Sequence, residues 1–216
     1  MELNFGIVKG LPDEEQRKLN ELLKIYKNHR SSNRKKRRYY NGKISLQEVN
    51  LGIALPNTIG KLKIGCAWGA KTVDVLASRS MFDGYVDENG RSADVMMEIA
   101  RRNHMQTEYN KACREELKYG CAFAAASGSE GDAKIRFFSP NCAAAMWDGQ
   151  KCGIDCGFVF DDSRKDESDL EWSPQYITFH TDTAIWQLER TGTGWSAEEN
   201  PHEFGRPLMV ALTWDA

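Results

Sequence analysis

ELKYGCAFAAASGSEGDAKIRFF, residues 116–138, is where the chain changes its period. Upstream, Tyr109, Ala112, Cys113 and Leu117 fall on one helical face, and Gly120 supplies the residue type that ends helices in a left-handed turn. Downstream, Cys121 to Ala126 is a run of small apolar residues. Gly128-Ser129-Glu130-Gly131-Asp132 reads as a turn, Lys134 to Phe138 as a strand, and Ser139-Pro140 as its break.

Outward from that boundary, the first half reads as helices. Pro12-Asp13 opens the first, with Asp13 as N-cap and Gln16 as its capping-box partner. Leu19, Leu22, Leu23 and Tyr26 form one apolar stripe, and Asn41-Gly42 stops the helix. Leu55-Pro56-Asn57 is a turn. A second helix is expected from Trp68 to Phe82, ended by Asp83-Gly84, with Tyr85-Val86 leading out. Ser92 caps a third, which carries Val95, Met96 and Ile99, before the fourth ends at Gly120.

The second half reads as strands. Ala143 to Trp147 leads to a turn at Asp148-Gly149, and Ile154 to Phe160 follows. Gln175 to Thr181 and Ala184 to Glu189 flank Asp182 as a hairpin, Gly192-Thr193-Gly194 turns again, and Leu208 to Trp214 is a last apolar run. Strands that follow strands without intervening helices predict an α+β class with a mainly antiparallel sheet. The expected division is 1–120 mainly helical and 121–216 β-rich. The end at Trp214-Asp215-Ala216, directly after an apolar strand, leads us to expect a truncated protein.

The 216 residues are 41% hydrophobic, 28% charged and 10% aromatic, a composition that folds rather than stays disordered. The net charge of -2 does not mark a nucleic-acid binder, so any DNA contact must come from a local patch. Neither a signal peptide nor an apolar run of bilayer length is visible. Cys66, Cys113, Cys121, Cys142, Cys152 and Cys156 read as reduced, small, buried hydrophobes.

Four constellations suggest chemistry. Arg34-Lys35-Lys36-Arg37-Arg38, flanked by Lys27, Arg30 and Lys43 with no acidic residue among them, reads either as a solvated helix end or as a partner- or phosphate-facing patch. Tyr39 and Tyr40 beside it could stack on bases, which gives one rival reading, a small nucleic-acid-binding module. Gly65-Cys66-Ala67-Trp68-Gly69-Ala70-Lys71-Thr72 resembles a phosphate-binding loop, with Phe158 to Asp162 as the strand and acid that would hold magnesium. Ala70, however, stands where that motif needs glycine, and a helix N-terminus explains the stretch more simply. Cys142, Cys152 and Cys156 lack a second metal-binding pair, and His29, His104, His180 and His202 are scattered. The acidic stretch Asp161-Asp162, Asp166-Glu167, Asp169 and Glu171, with Arg164 and Lys165, reads as a solvated loop or, alternatively, as a surface that faces a partner.

Several segments together resemble the portal proteins of tailed double-stranded-DNA phages. Arg38-Tyr39-Tyr40-Asn41-Gly42 is similar to the family's Tyr-Tyr-x-Gly element. Trp68, Val73-Asp74-Val75-Leu76-Ala77-Ser78-Arg79 and Gly84-Tyr85 resemble its second-helix signature. Tyr119-Gly120-Cys121-Ala122-Phe123, Ser139-Pro140, Trp147-Asp148 and His202 to Val210 with Gly205 and Pro207 follow in the family's order. The resemblance implies the wing of a dodecameric ring at one capsid vertex, with DNA passing through its channel. Stem, clip and crown would lie beyond residue 216.

The implied partners are further copies of the chain, the major capsid protein, scaffolding protein, terminase and head-completion proteins, with no membrane. The implied location is the virion, after assembly in the host cytoplasm. The family carries no catalytic residue and needs no cofactor. Titrating the chain with ATP and magnesium is therefore expected to leave its melting temperature unchanged; a dose-dependent rise would favour the nucleotide reading through linkage.

Overall fold

The structure is a computed structural model that describes residues 3–45, 56, 59, 63–64, 68–90, 93–129, 132–161 and 174–213. In chain order these form β1 (Val8–Lys9), α1 (Asp13–Tyr40), β2 (Ile44–Ser45), β3 (Lys63–Ile64), α2 (Trp68–Arg79), α3 (Asp94–Arg102) and α4 (Met105–Tyr119). The strands β4 (Cys121–Ser129), β5 (Asp132–Phe138), β6 (Ala143–Asp148), β7 (Gly153–Phe160), β8 (Tyr176–His180), β9 (Ala184–Thr191), β10 (Gly194–Pro201) and β11 (Met209–Thr213) follow. The class is α+β, as expected.

The strands divide between two main sheets, not one. Six form the order β1-β10-β9-β8-β7-β6 and three the order β11-β4-β5, with β2-β3 a separate ribbon. Among the described residues all pairings are antiparallel except β1 with β10. Pro140, buried between β5 and β6, cannot donate to a ladder, and the chain crosses there from the smaller sheet to the larger.

One face of the large sheet carries the main core. Cys156, Phe158 and Phe160 of β7, Ile177 and Phe179 of β8, Trp186 and Leu188 of β9 and Trp195 of β10 alternate onto it. The stripe Leu19, Leu22 and Leu23 of α1 closes over them, with Leu3, Phe5 and Val8 from the N-terminal segment. Fully burying each such side chain contributes roughly 1.5–3 kcal/mol. The opposite face is covered at β6 and β7 by the smaller sheet, where Phe123, Phe138 and Met209 meet Ala143, Ile154 and Val159. Gly157 permits this: a Cβ there would stand 2.6 Å from the Met209 sulfur.

A register shift puts Ile154 on that second face. Met146 pairs with Cys156 but Trp147 pairs with Ile154, so Asp155 is bulged. One extra residue reverses the alternation. Without it, Ile154 would point with Cys156 and Phe158 toward α1.

Several local expectations are corrected. Pro12, not Asp13, is the N-cap of α1, without a side-chain cap. Gln16 is drawn away from a capping box by the N-terminal segment: its Oε1 accepts from the Val8 N–H (2.8 Å), and its Nε2 donates to the Gly6 carbonyl (3.2 Å). α2 stops at Arg79, three residues early, because Asn110 of α4 donates to the carbonyls of Ala77 (2.6 Å) and Ser80 (3.4 Å). α3 buries Ala100 and leaves Val95 and Met96 exposed. Cys152 is exposed rather than a core residue. It sits at φ +48° ending a turn in which Asp148 Oδ1 accepts from the N–H groups of Gln150 (2.8 Å) and Lys151 (3.2 Å). β1, β2, β3 and β10 were not anticipated. Pro56 of the expected turn is exposed; Leu55, Asn57, Ser92, Glu130 and Gly131 lie outside the described residues.

His180, at the end of β8, is 1% exposed, and neither ring nitrogen has a hydrogen-bond partner among the described residues. Burial first, then the neighbouring His202, push its imidazole down to about 4 from the ordinary 6.5. The unfolded chain thus takes up a proton that the folded chain refuses. This stability is present above pH 6.5, is lost as pH falls toward about 4, and changes no further below that. The loss reaches at most roughly 3 kcal/mol. Urea midpoints across this window should fall for the wild type and fall less for His180→Leu. Parallel curves would contradict the assignment.

Candidate functional site

α1 is longer than the sheet it covers. Its 28 residues span about 42 Å, whereas six strands span about 24 Å between edges. The helix starts beside β1 through Gln16 and crosses to the opposite edge, where Tyr26 OH donates to the Asn141 carbonyl (2.9 Å) and Asn33 Nδ2 to that of Pro140 (3.4 Å). Its second half therefore projects past β6, and this half carries Lys27, Arg30, Arg34, Lys35, Lys36, Arg37 and Arg38.

The projecting end is held by three devices. Lys36 Nζ donates to the Tyr119 carbonyl at 2.5 Å, so a cation closes the negative C-terminus of α4 beside the left-handed cap Gly120 (φ +93°). Tyr40 OH donates to Asp74 Oδ1 of α2 (2.8 Å), and Arg114 Nε of α4 lies 2.9 Å from the same oxygen. One carboxylate thus joins three helices. Burial and then that carboxylate hold the Tyr40 phenol above its ordinary range. Lys118 lies over the Tyr40 ring, 4.3 Å from its centre.

These contacts reassign the phosphate-loop lookalike. Gly69 is needed because a Cβ there would come within 3.2 Å of the Tyr39 carbonyl, so the glycine admits α1 and not an anion. Ala70 and Lys71 lie in the first turn of α2, and Thr72 Oγ1 donates back to the Trp68 carbonyl (2.9 Å). The strand before, β3, pairs antiparallel with β2, which is not the parallel context a nucleotide site requires. Gly65, Cys66 and Ala67 lie outside the described residues. Asp161, the proposed magnesium acid, is bound by Arg136 at 2.5 and 3.2 Å, whereas Asp162 and the acidic stretch 164–171 are outside. Among the described residues no three of His, Cys, Asp and Glu group as metal ligands, and no helix is long and apolar enough to cross a membrane.

The family model for phage portal protein, SPP1 Gp6-like, matches residues 19–210. The chain belongs to the phage portal protein family. No curated protein matches it. The portal family is structural, not enzymatic; it forms oligomeric rings associated with the capsid at a vertex.

The portal-motif positions fall into two groups. Tyr40 and Asp74 touch each other, Tyr119 and Pro140 are buried, and Gly42 (φ +66°) and Gly84 (φ +137°) occupy left-handed or extended-positive backbone. A Cβ on Gly84 would lie 2.9 Å from the Met97 sulfur. Pro207 is buried after the positive-φ Gly205, and Asp148 organises its turn. Trp68, in contrast, is 81% exposed, and Leu76, Arg79 and Trp147 are also exposed, so these portal-motif side chains are not part of this chain's core. Of the basic run, Arg34, Lys35 and Lys36 are exposed, and Arg37 and Arg38 are half-buried. Lys35 stands over the Tyr39 ring at 5.9 Å, and Arg38 Nε donates to the Lys43 carbonyl.

Sequence reading missed Arg114, Lys118 and Asn103. Asn103 fixes the α3–α4 corner to β5 through the Ala133 carbonyl and the Ile135 N–H, both at 2.8 Å. Nothing in the local pattern announces these residues, because each acts across 30 or more positions. In a double-mutant cycle, Tyr40→Phe and Asp74→Ala should each destabilise and should couple by about 1 kcal/mol, reduced from a buried charged bond by partial exposure. Additive effects would contradict a shared staple.

Proposed function

We propose that this chain forms the wing of a dodecameric portal ring, through whose channel double-stranded DNA is packaged and later ejected. The family match across residues 19–210 carries the reading. The helical residues 1–120 and the β-rich residues 121–216 act as one rigid wing, since α1 shares its core with the large sheet. In this reading the ring assembles in the host cytoplasm with scaffolding protein, is incorporated with the major capsid protein, and later meets terminase and head-completion proteins.

The chemistry agrees with a passive conduit. A channel that must let DNA move makes no base-specific contacts, which would hold the strand in register. The chain's charge of -2 is nearly neutral, and its longest unbroken basic run, Arg34 to Arg38, lies at one helix end. Within the run Arg34 to Arg38, the proposed partner-facing charges are the exposed Arg34 and Lys35, since Lys36 closes α4 and Arg37 and Arg38 are half-buried. The rival nucleic-acid module needs Tyr39 and Tyr40 free for stacking, but the Tyr40 hydroxyl is bound to Asp74 and Lys118 lies over its ring.

Gold-labelled antibody against this chain should mark a single vertex on each assembled phage head. Label spread over the whole shell, or confined to the tail, would contradict the portal reading.

A further inference from the structure

Two oppositely charged surfaces stand at opposite edges of the large sheet. On α1, Lys27, Arg30, Arg34 and Arg38 recur at three- and four-residue spacing and so share one flank of the helix end beyond β6. Arg30 and Arg34 are exposed and make no ion pair among the described residues. At the far edge, β10 presents Glu198 and Glu199, followed by Glu203, with Glu189 of β9 beside them. All four are exposed and none forms an ion pair among the described residues. Glu189 pairs with Ser196, two positions from Glu198, so the two carboxylates are diagonal neighbours on one face.

That edge is also structurally open. β1 pairs with β10 only at Trp195 and Ser196; from Ala197 onward the outer backbone of β10 pairs with no strand among the described residues. Unpaired edge backbone flanked by like charges repels a second copy of the same edge. It suits a surface of opposite charge.

We infer that Arg30 and Arg34 of one copy dock against Glu198 and Glu199 of the next, which makes the contact head-to-tail. The inference rests on the portal reading for the existence of a ring and adds which surfaces meet. A single face that is both donor and acceptor would close as a dimer, whereas two different faces at opposite edges repeat around a ring when the rotation closes. α1 sets the geometry, because its contacts with Tyr119 and Asp74 hold the cationic end at a fixed distance from the β10 edge.

Three proteins would be compared by sedimentation velocity at low salt: the wild type, the variant R30E/R34E and the variant E198R/E199R. The wild type should self-associate, and added salt should weaken it. Each variant alone should associate at least about tenfold more weakly. A mixture of the two should recover association, since each reversed surface then finds its complement on the other variant. Recovery also shows that both variants are folded.

Unchanged association of the single variants would overturn the assignment of surfaces while leaving the portal reading intact. So would failure of the mixture to recover. A monomeric wild type that binds duplex DNA through Arg30 and Arg34 would overturn it in favour of a nucleic-acid partner.

Discussion

One helix laid across one sheet holds this chain together. α1 gives its apolar stripe of Leu19, Leu22 and Leu23 to Phe158, Phe179, Ile177 and Leu188, and the N-terminal segment joins the same core through Leu3, Phe5 and Val8. The N-terminal segment is caught between the start of α1 and β10 by Gln16 and the β1 pairing. The smaller sheet sits on the reverse face of β6 and β7, where the Asp155 bulge turns Ile154 toward it. Because α1 is longer than the sheet is wide, the same packing throws its cationic half clear of the core.

Features set by neighbours in sequence were legible in it. The stripe of α1, its end at Tyr40, the stop at Gly120 and the break at Pro140 follow from spacing, glycine and proline chemistry, and the structure shows each. The capping box at Asp13 failed because Gln16 found a better partner eight residues upstream in space-filling β1. β10 escaped detection because its sequence, GWSAEENP, buries only Trp195 and lacks alternation. The division into two sheets was not legible either, since it depends on Gly157 admitting Met209 across 52 positions of chain and on a bulge that no residue type announces.

The site followed the same rule. The basic run is obvious in the sequence, but which of its charges are committed is not. Lys36 closes α4, and Arg34 faces solvent, because two residue steps turn the helix by about 200° and set the two side chains on different sides. Asp74 sat inside a recognised motif, yet its function as the joint between Tyr40 and Arg114 needs three helices in place. The glycine that made the α2 start look like a phosphate loop is explained by the carbonyl of Tyr39 pressed against it.

The central claim is that α1 is one rigid element, ordered by packing in its first half and by Lys36 and Tyr40 in its second. Amide hydrogen exchange along α1 tests this most directly. Protection should continue from Leu19 through Tyr40, and Lys36→Met with Asp74→Ala should release only the part beyond Asn33. Fast exchange beyond Asn33 in the wild type would contradict the account, because the cationic end would then have no fixed position.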